Sequence, residues 1–150
     1  MLIRSFAEAD RAAVVALWHG VGLTRPWNDP GKDIDRAVAT WPDLFLVAEE
    51  RGAGSADDGG AGGGAVVGTA LCGYDGHRGW IYYLAVARSQ QGRGIGRALI
   101  AEAEARLEAL GCPKAMLMVR RGNEQAHGFY GGSGYSEDDV VTFGKRLIAD

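Results

Sequence analysis

A chain of 150 residues, 47% hydrophobic and 23% charged, has the balance of one compact domain with a single core rather than of a disordered segment. Its formal charge is −3 and its basic residues are scattered, which gives no electrostatic footprint for nucleic acid or an anionic membrane. Cys72 and Cys112 are too few for a disulfide framework, and no apolar run approaches the roughly 20 residues that span a bilayer.

The first residues, Met1-Leu2-Ile3-Arg4-Ser5-Phe6, lack the basic and apolar regions of a signal peptide, so the expectation is a cytoplasmic protein. Residues 2–6 alternate like a short strand. A helix is expected over 8–19, with Val14, Val15, Leu17 and Trp18 on its apolar side. Leu23-Thr24-Arg25-Pro26-Trp27-Asn28-Asp29-Pro30 reads as a loop of fixed shape, and a second helix fits 32–40. Leu44-Phe45-Leu46-Val47-Ala48 is a continuous apolar run, the pattern of a buried strand. Over 51–64, seven of fourteen residues are glycine; this reads as a flexible hairpin insertion, because strands resume at once beyond it.

Strands are expected over 65–71 and 80–87, joined by the polar turn Tyr74-Asp75-Gly76-His77-Arg78-Gly79. The helix over 94–110 has the best periodicity, with Ile95, Leu99, Ala103 and Leu107 four apart. A strand over 114–119 follows, then a short helix to about Tyr130 that Asn123 can cap. One or two final strands are expected over 135–147. No repeat or second domain interrupts residues 1–150.

The most informative segment is Gln91-Gly92-Arg93-Gly94-Ile95-Gly96-Arg97, between a strand and the strongest helix. Glycines let the backbone approach a ligand closely. The helix start adds unpaired N–H groups and the positive end of the dipole. Together they suit a phosphate, which Arg93 and Arg97 can reinforce. A Walker loop needs a following Gly-Lys-Ser/Thr, which is absent. The dinucleotide fingerprint, started at Gly92, ends on Arg97 where it needs glycine. The acyl-CoA pattern Gln/Arg-x-x-Gly-x-Gly/Ala does fit.

With Tyr83-Leu84-Ala85-Val86-Ala87 before it and Asn123, Ala126, Phe129, Tyr130, Gly134 and Tyr135 after it, the chain resembles the GNAT superfamily of acyl-CoA N-acyltransferases over nearly its whole length. Segments 25–30, 74–79, 111–114 and 144–148 resemble the bacterial YpeA-type acetyltransferases. The resemblance implies an α/β (α+β) fold: a mixed, mostly antiparallel sheet with a splayed central parallel strand pair and about four helices. It implies acetyl-CoA as donor. The strand backbone at Leu84, Ala85 and Val86 would pair with pantetheine, and Gln91 to Arg97, with the amides of Gly92, Arg93, Gly94, Ile95 and Gly96, would hold the pyrophosphate. Asn123 would touch pantetheine, or serve only as a cap. Tyr130 would stand near the thioester sulfur as general acid.

An amine attacks a thioester directly, so no enzyme nucleophile is required. The amine must lose a proton and the thiolate must gain one. Trp27, Asn28, Asp29, Tyr74, Asp75 and His77 are the candidate acceptor-binding residues. His77 and Asp75 are candidate bases, against the plainer reading that both are turn residues. The acceptor would be a small-molecule amine or a protein or peptide amine, with no nucleic acid or membrane partner, and a homodimer through an exposed strand is open. His19, His77 and His127 lack ligand spacing, so no metal is expected. The alternatives are a non-catalytic acyl-CoA sensor or regulatory module, and a generic anion nest for another phosphate ligand.

Overall fold

The computed structural model describes residues 1–50 and 64–150, so the expected glycine-rich insertion lies, save Gly64, outside the described residues. Among the described residues five strands form one sheet, in the order β1 (Leu2–Ser5), β2 (Phe45–Glu50), β3 (Ala65–Tyr74), β4 (Gly79–Val86) and β5 (Ala115–Leu117). The first three pairings are antiparallel, and β4 with β5 is parallel. Helices α1 (Arg11–Gly20), α2 (Pro30–Thr40), α3 (Ile95–Ala109) and α4 (Glu124–Gly131) flank the sheet.

Strand β2 explains why both faces carry helices. Leu46 and Ala48 pack into the core that α3 covers, whereas Phe45 and Val47 pack into the core that α1 and α2 cover. A strand covered twice needs no polar face, hence its continuous apolar run. Helix α3 buries Ile95, Leu99, Ile100, Ala103 and Leu107, and each large side chain adds about 1.5–3 kcal/mol. Helix α2 begins two residues before the expected start, and the reason is local. Asp29 Oδ1 accepts from the N–H groups of Gly31 at 2.8 Å and Lys32 at 3.2 Å, with Pro30 at the first helical position.

Strand β4 changes face in mid-strand. Ile81 lies in the α3 core, Tyr83 and Ala85 in the α1 core, and Leu84 and Val86 again on the α3 side. In a regular strand residues 81 and 83 would share a face. Thr69 faces Ala85 while Leu71 faces Tyr82, so β4 carries one extra residue, a β-bulge. Tyr83 has φ 47°, and among the described residues it alone combines a side chain with a positive φ.

A relay holds this conformation. The buried Trp18 Nε1–H donates to Thr69 Oγ1 at 2.9 Å, and the Thr69 hydroxyl donates to the Tyr83 carbonyl at 2.8 Å. The Trp18 ring stacks on the Tyr83 ring with centroids 3.9 Å apart. The Tyr83 hydroxyl donates to Asp33 Oδ2 at 2.6 Å. The β4–β5 ladder ends at Ile81 and Leu117, just before the bulge, so the parallel pair splays where the relay sits.

The expected strands over 135–147 are not formed. Among the described residues no strand follows β5, which is the sheet edge. A three-residue β5 offers only a short ladder, and side-chain contacts hold the segment elsewhere. Lys114 pairs with Asp138 at 2.9 Å, Arg146 Nη2 donates to Asn28 Oδ1 at 3.2 Å, and Arg36 pairs with Asp150. An open cleft of about 1030 Å³ is bounded by β5, α4 and this segment, with Met116, Tyr130, Tyr135 and Val140 in its wall.

Replacing Thr69 by Val strands the buried Trp18 N–H and frees the Tyr83 carbonyl. Urea denaturation is expected to show a loss of about 1–3 kcal/mol. Wild-type stability in Thr69→Val would mean that the relay does not hold the bulge.

Candidate active site

Beyond the bulge, β4 leads into a loop that closes on α3. Gly92 and Gly94 have φ of 79° and 82°, and a Cβ on either would meet no atom within 4 Å. They are glycines for backbone conformation, and their outer side is open. The first internal bond of α3 runs from Ala98 N to Gly94 O at 3.0 Å. The N–H groups of Ile95, Gly96 and Arg97 therefore precede the helical ladder, at the positive end of a 15-residue helix. This fits a phosphate-bearing ligand.

The other loop side chains are mostly structural. Gln91 Nε2 donates to the Val86 carbonyl at 3.1 Å, tying the loop to the end of β4. Arg93 pairs with Glu50 at 2.9 Å and donates to the Gln90 side chain. Arg97 is exposed. Gly96 differs from its neighbours: a Cβ there would lie 3.2 Å from Phe129 Cζ, so its smallness lets α3 and α4 pack closely.

That packing sets the position of Tyr130, the next residue on α4. Its ring lies edge-on to Phe129 and Tyr135, with centroids 5.1 and 6.0 Å away. Burial pushes its hydroxyl above the usual tyrosine pKa. The phenol thus keeps its proton throughout the neutral range. Asn123 caps α4, its Oδ1 accepting from Ala126 N at 3.2 Å. Its oxygen is committed to the cap, so a ligand contact would come from its amide N–H groups. Leu84 and Val86 are half-buried on the splayed stretch, and Ala85 between them is buried.

The sequence candidates for the acceptor side divide. Trp27 is 55% exposed at the tip of the turn that Asn28 N closes on Arg25 O at 3.1 Å. Asp29 is the α2 cap. The 74–79 turn is closed on itself. Asp75 Oδ1 accepts from the backbone of Arg78 at 2.7 Å and of His77 at 2.8 Å, and Oδ2 accepts from Trp80 Nε1 at 3.1 Å. The backbone N–H of Arg78 first, then that of His77 and the Trp80 N–H, hold the Asp75 carboxyl below its usual pKa. Tyr74 donates to Gly76 O at 3.3 Å, and His77 is exposed. This turn precedes β4 whereas the glycine loop follows it, and Gly79 lies four residue steps, roughly 13 Å, along the strand from Tyr83.

Side chains that sequence reading passes over stand at the bulge instead. They are Tyr83, Asp33 and, through Thr69, Trp18. Tyr83 and Asp33 are fifty positions apart, so no local pattern joins them. Burial pushes the Cys72 thiol up to about 12, which makes it a packed side chain and not a nucleophile. Among the described residues no three His, Cys, Asp or Glu side chains converge on a metal position, and no helix is long and apolar enough to cross a membrane.

The two glycines separate experimentally. Gly94→Val forces a β-branched residue to positive φ and crowds the loop, so affinity for the acyl-CoA that the sequence resemblance implies should fall about tenfold or more. Gly96→Leu should displace Phe129 and lower thermal stability by about 1–3 kcal/mol. Equal effects of the two variants on affinity and on stability would remove the distinction between a ligand glycine and a packing glycine.

Known proteins align with this geometry. The sequence model of the acetyltransferase (GNAT) family matches residues 14–135. An acetyltransferase from Pectobacterium atrosepticum is 47% identical over 150 residues, which covers 100% of this chain and 98% of that protein. Among solved structures, the NatC complex bound to Gag peptide and CoA superposes with TM-score 0.70 at 23% identity, covering 87% of this chain and 81% of that one. The enzyme AAC(6')-Iy, in complex with the bisubstrate analogue CoA-S-monomethyl-acetylneamine, superposes with TM-score 0.71 at 17% identity, covering 97% and 98%.

Proposed function

The chain belongs to the acetyltransferase (GNAT) family, and we propose that this acyltransferase moves acetyl from acetyl-CoA to a primary amine by direct attack in a ternary complex. One observation carries the reading. The strand that opens at the Tyr83 bulge is joined, through one 3-10 turn over Arg88–Gln90, to the open, positive-φ glycine loop at the start of α3. A single strand thus loses its β5 neighbour beyond Ile81 and is followed a few residues later by N–H groups outside the helical ladder. That combination suits a ligand with an extended amide arm and a pyrophosphate.

In this reading the backbone of Leu84, Ala85 and Val86 lines the pantetheine arm. The N–H groups from Gly92 to Arg97 hold the pyrophosphate. The amine nitrogen attacks the thioester carbonyl carbon, the carbon–sulfur bond breaks, and sulfur leaves with the electron pair. The Tyr130 hydroxyl gives that sulfur a proton. Holding both reactants side by side supplies the rest of the advantage.

The amine must itself shed a proton. With Asp75 committed to its turn and His77 exposed beyond the start of β4, we assign that proton to solvent rather than to either residue. Trp27 and Asn28 border the acceptor side. Neighbours of the same fold are described with a peptide and with an acetylneamine analogue, which supports an amine acceptor of either small-molecule or peptide type. The free thiols Cys72 and Cys112 suit a reducing compartment such as the cytoplasm. The relatives named acetyltransferase over the whole chain favour the enzyme over a non-catalytic acyl-CoA sensor.

Calorimetric titration should show selective micromolar binding of acetyl-CoA, with ATP and NAD as controls. Equal binding of all three would remove the donor reading. Tyr130→Phe should reduce kcat by about a hundredfold while leaving acetyl-CoA affinity within about twofold. Full turnover in that variant would assign the thiolate's proton to water.

A further inference from the structure

Arg36 stands one turn after Asp33 on α2. Its Nη1 donates to Asp33 Oδ1 at 3.0 Å, and its guanidinium donates to both carboxylate oxygens of Asp150, Nη1 reaching Oδ2 at 3.4 Å. The Asp150 side chain is only 7% exposed, although Leu147 and Ile148 just before it are 85% and 70% exposed. An otherwise exposed segment thus sets one carboxylate down beside α2. The Arg36 guanidinium first, with smaller help from the Asp29 backbone and Lys32, holds the Asp150 carboxyl below its usual pKa. On its far side, Asp33 turns Oδ2 to the Tyr83 hydroxyl at the bulge. A guanidinium paired with a carboxylate therefore lies next to the splay, with the negatively charged Asp33 between them.

Building on the acetyltransferase reading, we propose that Arg36 recognises a carboxylate on the acceptor, that the acceptor is an amine bearing a carboxylate, and that Asp150 holds the carboxylate's place in the free protein. The order of charges sets the orientation. Arg36 takes the carboxylate, and Asp33, one step nearer the bulge, faces the cationic amine, so nitrogen points toward the splayed strand. A simple alkyl amine gains nothing from Arg36. A dicarboxylic acid meets repulsion at Asp33.

The test is a binding measurement that needs no acetyl donor, so its failure is distinct from a failure to bind acetyl-CoA. Glycine, 4-aminobutanoate and 6-aminohexanoate are titrated against alkyl amines of equal length, using the full chain as wild type, D150N and R36Q/D150N. At least one amino acid should bind D150N about five- to tenfold more tightly than wild type, the scale on which a half-exposed ion pair competes with a ligand. The matched amine should be unchanged, and R36Q/D150N should lose the gain. Circular dichroism melting of each variant checks that the fold is kept; Asp33 and Tyr83 are untouched in all of them. No gain for any amino acid in a folded D150N, an equal gain for the alkyl amine, or a gain that survives R36Q would each overturn the proposal.

Discussion

The centre of this molecule depends on one relay, from the Trp18 indole through the Thr69 hydroxyl to the Tyr83 carbonyl. A residue with a large side chain at φ 47° is costly, on the order of 1–3 kcal/mol, and persists only where its surroundings fix it. Here three elements do so at once: α1 supplies the stacked indole, β3 the hydroxyl, and α2 the carboxylate that receives the Tyr83 phenol. The bulge in turn ends the β4–β5 ladder at Ile81 and opens the sheet. A strand pair that stayed regular would leave no open edge beside Leu84, and the glycine loop would follow a closed sheet.

The bulge also divides the work between the two faces. Past Tyr83, Leu84 and Val86 point into the α3 core, and the loop that follows presents main-chain N–H groups. At the bulge itself, Tyr83 and its partners point toward α1 and α2, where charged side chains gather. Gly96 connects the two halves of the first face, because its missing Cβ lets Phe129 approach and carries Tyr130 to the edge of the same core.

Much of this is legible in the sequence, and the limits have physical causes. The buried run at 44–48, the period of α3 and the Asn123 cap are local signals, and local structure follows them closely. The glycine loop is legible for the same reason: positive φ at Gly92 and Gly94 is a property of those residues. The start of α2 was legible too, in Asp29-Pro30, but two loop-like residues mask a cap followed by a first helical position. The final strands were not legible. Val140, Val141 and Phe143 have strand propensity, yet propensity forms a strand only where a partner edge is long enough, and β5 is three residues. The residue pattern does not mark the bulge, which only the family resemblance implies through its splayed strand pair, since Tyr82-Tyr83 in an apolar run reads as regular strand and the residues that fix it come from positions 18, 33 and 69.

The same contrast separates what the chain shares from what it selects. A donor held by backbone N–H groups and strand edge leaves a motif, because only certain residues permit that backbone. The side-chain contacts of Asn28, Asp33, Arg36 and Tyr83 leave none, because they depend on how α2 packs beside β4 and on a segment more than a hundred positions away. The bulge is the joint between these two regimes. Its carbonyl and φ are fixed by Trp18 and Thr69, while its phenol faces the variable side through Asp33. A substitution at Arg36 therefore alters the charge presented beside the splay without touching the contacts that fix Tyr83, whereas a substitution at Asp33 or Thr69 removes one of those contacts. Side chains beside the bulge can thus diverge while the glycine loop stays the same, which is why the family is readable in this sequence and the contacts of α2 with β4 are not.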